Sequence, residues 1–63
     1  MRYKLNSIVR VVILFKEYKA PISSESYYVA EKKSWYVTVR IKSFPLLIQN
    51  VAVSLDDLDR WNN

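Results

Sequence analysis

The sequence predicts a small α+β domain: a three- or four-stranded, mainly antiparallel sheet with a short C-terminal helix packed on one face. Three observations support this class. Residues 35–42 alternate strictly between two kinds of side chain, with the period of a half-buried strand. Residues 8–13 are β-branched at five of six positions, which favours a strand. Residues 55–61 carry apolar side chains three apart, which indicates a helix.

The alternating stretch predicts the most informative surface of the chain. One side carries Trp35, Val37, Val39 and Ile41, and the other carries Tyr36, Thr38, Arg40 and Lys42. We expect the first set to be buried and the second to face solvent. The exposed side then presents a ring, a hydroxyl group and two cations.

Length and composition indicate one domain, residues 1–63, with a thin core. A chain of 63 residues buries a small fraction of its surface on folding, and this chain has no cysteine or histidine. Disulfides and thiolate zinc sites, which often stabilise domains of this size, are therefore excluded. We expect a homo-oligomer, or docking on a larger molecule, to supply the missing stability.

The net charge of +4 is unevenly distributed. Residues 1–42 hold nine Lys/Arg and three Glu, a balance of +6, whereas residues 43–63 hold one Arg and three Asp, a balance of −2. A basic excess that coincides with the predicted sheet is typical of proteins with polyanionic partners. Ordinary solubility charge explains the same balance equally well.

The first strand is predicted over residues 8–16, with both faces buried because the run is almost continuously apolar. A helix is the competing interpretation, since Leu5, Ile8, Val12 and Phe15 share helical spacing. We favour the strand. Residues 16–26, which contain Pro21 and a serine-rich segment, are predicted to be the one long loop.

A hairpin is predicted next, with strands over residues 27–31 and 34–43 and a polar tip at Lys32-Lys33. Pairing residue 30 with residue 35 places Tyr28 on the buried side with Trp35. The chain has no glycine, so its turns are expected to be type I, or to place Asn, Asp or Lys at positive φ.

A fourth strand is predicted over residues 46–53, after a turn at Phe44-Pro45 and with a bulge or turn at Asn50. Ser54 is the predicted N-cap of the helix, with Asp57 at the reciprocal capping position. The apolar stripe of the helix is Leu55, Leu58 and Trp61.

Catalysis is not expected, and no cofactor is predicted. Nucleophile pairs that use histidine or cysteine are impossible here, and glycine loops that hold phosphate are absent. The acids Asp56, Asp57 and Asp59 are a poor metal site because the middle one points away from the other two on a helix. Helix capping and the helix dipole explain them better, so no metal site is predicted.

Aromatic residues beside cations are the feature that points to a function. The candidate binding residues are Tyr27, Lys32, Lys33, Tyr36, Arg40 and Lys42. Small sheet proteins bind single strands by stacking bases on rings and neutralising phosphates with Lys and Arg. We therefore expect binding of nucleic acid, DNA or RNA, without strong sequence preference. Cross-strand packing is the structural interpretation of the same tyrosines.

A protein-interaction or inhibitory module, acting as a homo-oligomer, is the alternative function. It rests on the thin core, the apolar first strand and the tyrosines near arginine, which favour interfaces. The longest apolar run, residues 8–15, is too short to span a membrane, so a cytoplasmic protein is expected. Scarce Ala and Pro beside frequent Lys, Ile, Tyr and Asn are typical of an AT-rich genome, such as that of a virus or plasmid.

Overall fold

A computed structural model describes residues 3–43 and 47–63, which form five strands and one helix. In chain order these are β1 (Ile8–Ile13), β2 (Lys16–Pro21), β3 (Tyr27–Val29), β4 (Ser34–Ser43), β5 (Leu47–Ser54) and α1 (Leu55–Asn62). β1 and β2 form a two-stranded antiparallel sheet, and β3, β4 and β5 form a second antiparallel sheet with β4 in the centre. The α+β class is confirmed, with five strands in two sheets instead of one sheet of three or four.

The first strand is confirmed over the helix, but its predicted burial on both faces is wrong. Val9 and Val11 are buried, whereas Ile8 is 64% exposed and Arg10 also faces solvent. α1 packs against β1, and the buried residues of both elements belong to one core, so only one face of the strand is covered.

The prediction of a strand to residue 16 and a loop to residue 26 is also wrong. β1 ends at Ile13, and Leu14 and Phe15 form a two-residue turn with φ of 50° and 67°. Positive φ at both central residues matches a type I′ hairpin turn, which strongly favours Asn-Gly or Asp-Gly. The sequence offers no such signal here, because two bulky apolar residues occupy the turn.

Turn residues elsewhere follow the glycine-free expectation. Asn6 and Lys33 take φ of 69° and 52°, and both are residue types that were expected at positive φ. Leu14 and Phe15 are the exceptions, and they are 90% and 104% exposed.

β2 occupies most of the predicted loop and faces the core with every second residue. Ala20 is buried opposite Val9, and Tyr18 is half-buried. Ile22 follows the strand, is fully buried and forms an isolated bridge with Val39 of β4. This bridge connects the first hairpin to the second sheet.

The second hairpin confirms the bounds predicted for β4 and the polar tip. Its register pairs Tyr27 with Tyr36 and Tyr28 with Trp35, so the predicted pairing of residues 30 and 35 is off by two positions. Side chains alternate with a period of two, so this error leaves every residue on its predicted face. Residues 30–33 form the turn, in which the Lys33 amide donates to the Ala30 carbonyl at 3.2 Å.

β5 pairs with β4 without interruption from Tyr36↔Ser54 to Ser43↔Leu47. The predicted bulge or turn at Asn50 is therefore wrong. The predicted turn at Phe44-Pro45, like Leu46, lies outside the described residues.

Helix α1 begins as predicted. The Ser54 hydroxyl accepts from the Asp57 amide at 3.1 Å, Leu58 is fully buried, and Leu55 and Trp61 pack against the core. The Tyr3 hydroxyl donates to Asp59 Oδ1 at 2.7 Å and joins the start of the described chain to the helix.

The core lies between the helix and one face of the strands. Its buried residues are Val9, Val11, Ala20, Ile22, Val37, Val39, Ile41, Val53 and Leu58. Trp35 was predicted to join them but is 52% exposed. Burial on this face of β4 begins at Val37, and the main neighbour of Trp35 is Tyr28 on the short strand β3.

Candidate nucleic-acid interface

The side of the second sheet that faces away from the core carries most of the predicted binding residues. Directly opposite residues of paired strands project to the same face. The register therefore places five β4 and β3 side chains and their β5 partners together. This set, called the outer face below, contains Tyr27, Tyr36, Thr38, Arg40, Lys42, Ile48, Asn50, Ala52 and Ser54.

Two tyrosines form the aromatic part of the outer face. The rings of Tyr27 and Tyr36 are stacked, with centroids 6.4 Å apart and an interplanar angle of 28°. The Lys32 ammonium group lies 5.7 Å from the Tyr36 ring centroid, so the turn returns a cation to this face. Tyr36 already contacts both groups and is half-buried, whereas Tyr27 is 39% exposed and is the more accessible ring.

Two cations continue the outer face along the same strand. Arg40 and Lys42 are exposed four and six residues beyond Tyr36, about 13 and 20 Å along the strand. Arg40 stands opposite Asn50 and Lys42 opposite Ile48, so β5 places no carboxylate beside them. Within residues 3–43 and 47–63, neither cation takes part in an ion pair.

Lys33 is the predicted site residue that the structure does not join to the ring cluster. It is exposed in the same turn as Lys32, and its positive φ is required to close the hairpin. Its backbone role therefore explains its place in the turn without any ligand.

Lys19 is a cation that the sequence analysis missed. It projects from the outward side of β2, opposite Arg10, and lines a surface groove that also contains Arg40 and Lys42. Arg10 is paired with Glu17, so Lys19 is the residue of this hairpin that adds free charge to the cationic end of the outer face. The alternation of Tyr18 and Ala20 with polar neighbours was the available signal.

A second ring pair was also missed, because Trp35 was expected to be buried. Tyr28 and Trp35 meet edge to face, with centroids 5.5 Å apart and an interplanar angle of 64°. They lie on the opposite face of the sheet from Tyr27 and Tyr36, and each is about half exposed.

Two further searches of the described residues bear on chemistry and location. No group of three or more His, Cys, Asp or Glu residues that could hold a metal occurs in this part of the chain. No helix in the same residues is long and apolar enough to cross a membrane.

Comparison with known proteins adds no name to this arrangement. No protein-family model, no curated protein and no solved structure matches the chain.

Proposed function

We propose that the protein binds nucleic acid through the outer face, without strong sequence preference and without catalysis. The observation that supports this most directly is the combination of stacked, accessible rings with cations that lack carboxylate partners on one side of a sheet. Rings stack on any base, and cations contact any phosphate, so such a surface recognises polyanionic strands rather than sequence.

The geometry favours a single strand. The rings and cations follow one β-strand from Tyr27 to Lys42, and a single strand exposes its bases to a flat sheet face while its phosphates pass alongside. Tyr27 would receive a base first, because the Tyr36 ring is already in contact with Lys32. Arg40, Lys42 and Lys19 would neutralise phosphates at the other end.

A fluorescence anisotropy titration with labelled single-stranded DNA and RNA at two salt concentrations tests this proposal. Affinity is expected to fall steeply with salt, because neutralised phosphates release counterions. Arg40→Gln should weaken binding and lower the salt slope by roughly 0.7, the value of one phosphate contact on a single strand. Arg60→Gln is the matched control, since it removes the same charge from the helix on the other side of the core.

A pair of neighbouring substitutions tests the stacking. Tyr27→Leu should reduce affinity by about 1–3 kcal/mol, the usual contribution of one base–ring stack. Tyr28→Leu changes the adjacent ring on the opposite face and should leave affinity unchanged. Equal losses in both variants, or equal losses in Arg40→Gln and Arg60→Gln, would contradict binding through the outer face.

Protein binding is the second candidate function, and the exposed Tyr28–Trp35 pair favours it. Tyrosine and tryptophan are enriched among residues that dominate the energy of protein interfaces. The same titration decides between the two: a folded chain that binds neither DNA nor RNA at low salt is better explained as an interaction or inhibitory module.

A further inference from the structure

The outer edges of three strands are protected to different degrees. The edge of β1 is closed at Arg10, whose backbone N–H donates to Asn62 Oδ1 at 2.9 Å and whose carbonyl accepts from Asn62 Nδ2 at 3.0 Å. The edge strand β3 is only three residues long. β5 is eight residues long, and within residues 3–43 and 47–63 only β4 pairs with it.

The hydrogen bonds of Thr38 show which groups of β5 point away from the sheet. The Ser23 amide donates to the Thr38 carbonyl at 2.8 Å, and the Thr38 amide donates to Ser24 Oγ at 3.0 Å. Both backbone groups of Thr38 therefore point away from β5. Ala52, directly opposite, belongs to a non-hydrogen-bonded pair, so its own N–H and carbonyl point outward.

The alternation of a strand gives Ile48 and Asn50 the same orientation as Ala52. In the described part of the chain, the backbone groups of these three residues have no hydrogen-bond partner. β5 also has no charged residue, no proline and no bulge, the devices by which proteins usually discourage pairing at an edge. Its edge is therefore open to another strand.

We propose that a second copy of this chain pairs with β5 along this edge, antiparallel and about a two-fold axis at Asn50. In this register Asn50 faces Asn50 of the second copy, and Ile48 faces Ala52 at both ends. The three outward residues then form three hydrogen-bonded pairs, with about two bonds each. An isologous pairing of this kind closes on itself and gives a dimer rather than a fibre.

Charge favours a second copy as the occupant of this edge. β5 is uncharged, so no like charges meet at the junction. Arg40 of the two copies would be separated by three strand spacings, about 14 Å, which exceeds the Debye length of about 8 Å at physiological salt. The pairing also shields part of Ile48, which is 56% exposed.

The two-fold axis is perpendicular to the sheet, so both outer faces lie on the same side of the dimer. The four strands at the junction would form one continuous surface with two sets of Arg40 and Lys42. This consequence rests on the proposed nucleic-acid binding, whereas the pairing itself does not. Dimerisation is therefore measured in the absence of nucleic acid.

Cysteine cross-linking tests both the pairing and its register, since the natural chain has no cysteine. Asn50→Cys places two thiols on a directly opposed, hydrogen-bonded pair with Cα atoms about 5.5 Å apart, within disulfide range. Under mild oxidation it should cross-link several-fold more than Gln49→Cys, the matched control on the adjacent exposed residue. Preferential cross-linking of Gln49→Cys would overturn the proposed register.

Sedimentation equilibrium of the natural chain should show the mass rising from 7.5 kDa towards twice that value with concentration. Ala52→Pro removes only an outward N–H, which edge strands tolerate, and should keep the chain folded but monomeric. Circular dichroism verifies the fold of this variant, and Asn50→Lys, which sets like charges opposite each other, is the second test if proline unfolds it. A natural chain that stays monomeric at millimolar concentration, or an equally dimeric Ala52→Pro, would overturn the proposal.

Discussion

The β1–β2 hairpin turns on Leu14 and Phe15, whereas the β3–β4 hairpin turns on four residues that end in Lys33. The second turn is polar and longer, as a glycine-free sequence predicts. The first places two bulky apolar residues at positive φ, where each costs about 1–2 kcal/mol. The pair is also almost fully exposed, so its side chains bury no surface that offsets this cost.

The comparison shows that the two hairpins depend on different contacts. β3 and β4 meet through ring pairs on both faces, and few residues of β3 reach the core. β1 and β2 contribute Val9, Val11 and Ala20 to the core, and β1 also bonds Asn62 of the helix. We infer that tertiary contacts hold the first hairpin closed despite its turn, while local pairing is sufficient for the second.

Removal of the helix anchor is expected to have the largest effect. Leu58 is fully buried, so Leu58→Ala should destabilise the protein by about 2–5 kcal/mol, which is most of the stability of a domain this small. Urea unfolding followed by circular dichroism measures the loss. Leu55→Ala, at a half-buried position of the same helix, should cost less.

Hydrogen exchange sharpens this test. If the first hairpin depends on the helix, amides of β1 and β2 should lose protection in Leu58→Ala before those of β4 and β5. A uniform loss across both sheets would contradict the difference between the hairpins.

Replacement of the strained turn should stabilise the protein. Leu14→Asn with Phe15→Gly supplies the residues that a type I′ turn prefers and should raise the free energy of unfolding by about 1–3 kcal/mol. Thermal unfolding detects the gain as a higher Tm. Lys33→Gly, which relieves one such residue instead of two, is the control and should gain less. An unchanged or lower Tm in the double variant would mean that the turn is not strained.

Loss of the Asn62 side chain should weaken the link between the helix and β1. Asn62→Ala removes two hydrogen bonds to the Arg10 backbone and should cost about 1–2 kcal/mol. It also opens the β1 edge, so faster aggregation is expected in a light-scattering assay. Asn63→Ala, on the next residue, should change neither quantity; equal effects from both substitutions would argue against an edge-closing role.

The smallest effect is expected at the ring pair of the second hairpin. Tyr27→Ala removes one stacked ring and should cost about 0.5–1.5 kcal/mol, since the contact is partly exposed. Chemical denaturation is the measurement. A loss larger than that of Asn62→Ala would show that the outer-face tyrosines are primarily structural, which weakens their assignment to base stacking.

The candidate interface could be predicted from the sequence where one strand supplies it. Tyr36, Arg40 and Lys42 share a face of β4 because alternation alone determines which side a residue takes. Lys19 could not be placed with them, because β2 was not recognised behind a turn that lacks glycine and asparagine. Trp35 was misplaced because alternation reports the side of the sheet, while burial depends on what covers that side.

The sequence by itself determined the elements whose signals are local: the bounds of β4, the cap and apolar stripe of the helix, and the exposed rings and cations on one strand. Only the tertiary structure decided that residues 8–21 fold back as a hairpin, that Ile22 joins it to β4, and that Asn62 closes one edge while β5 leaves another open. The physical reason is energetic. Burial of the valines of β1 and the amide bonds of Asn62 outweigh an unfavourable turn, and such distant contacts leave no pattern in neighbouring residues.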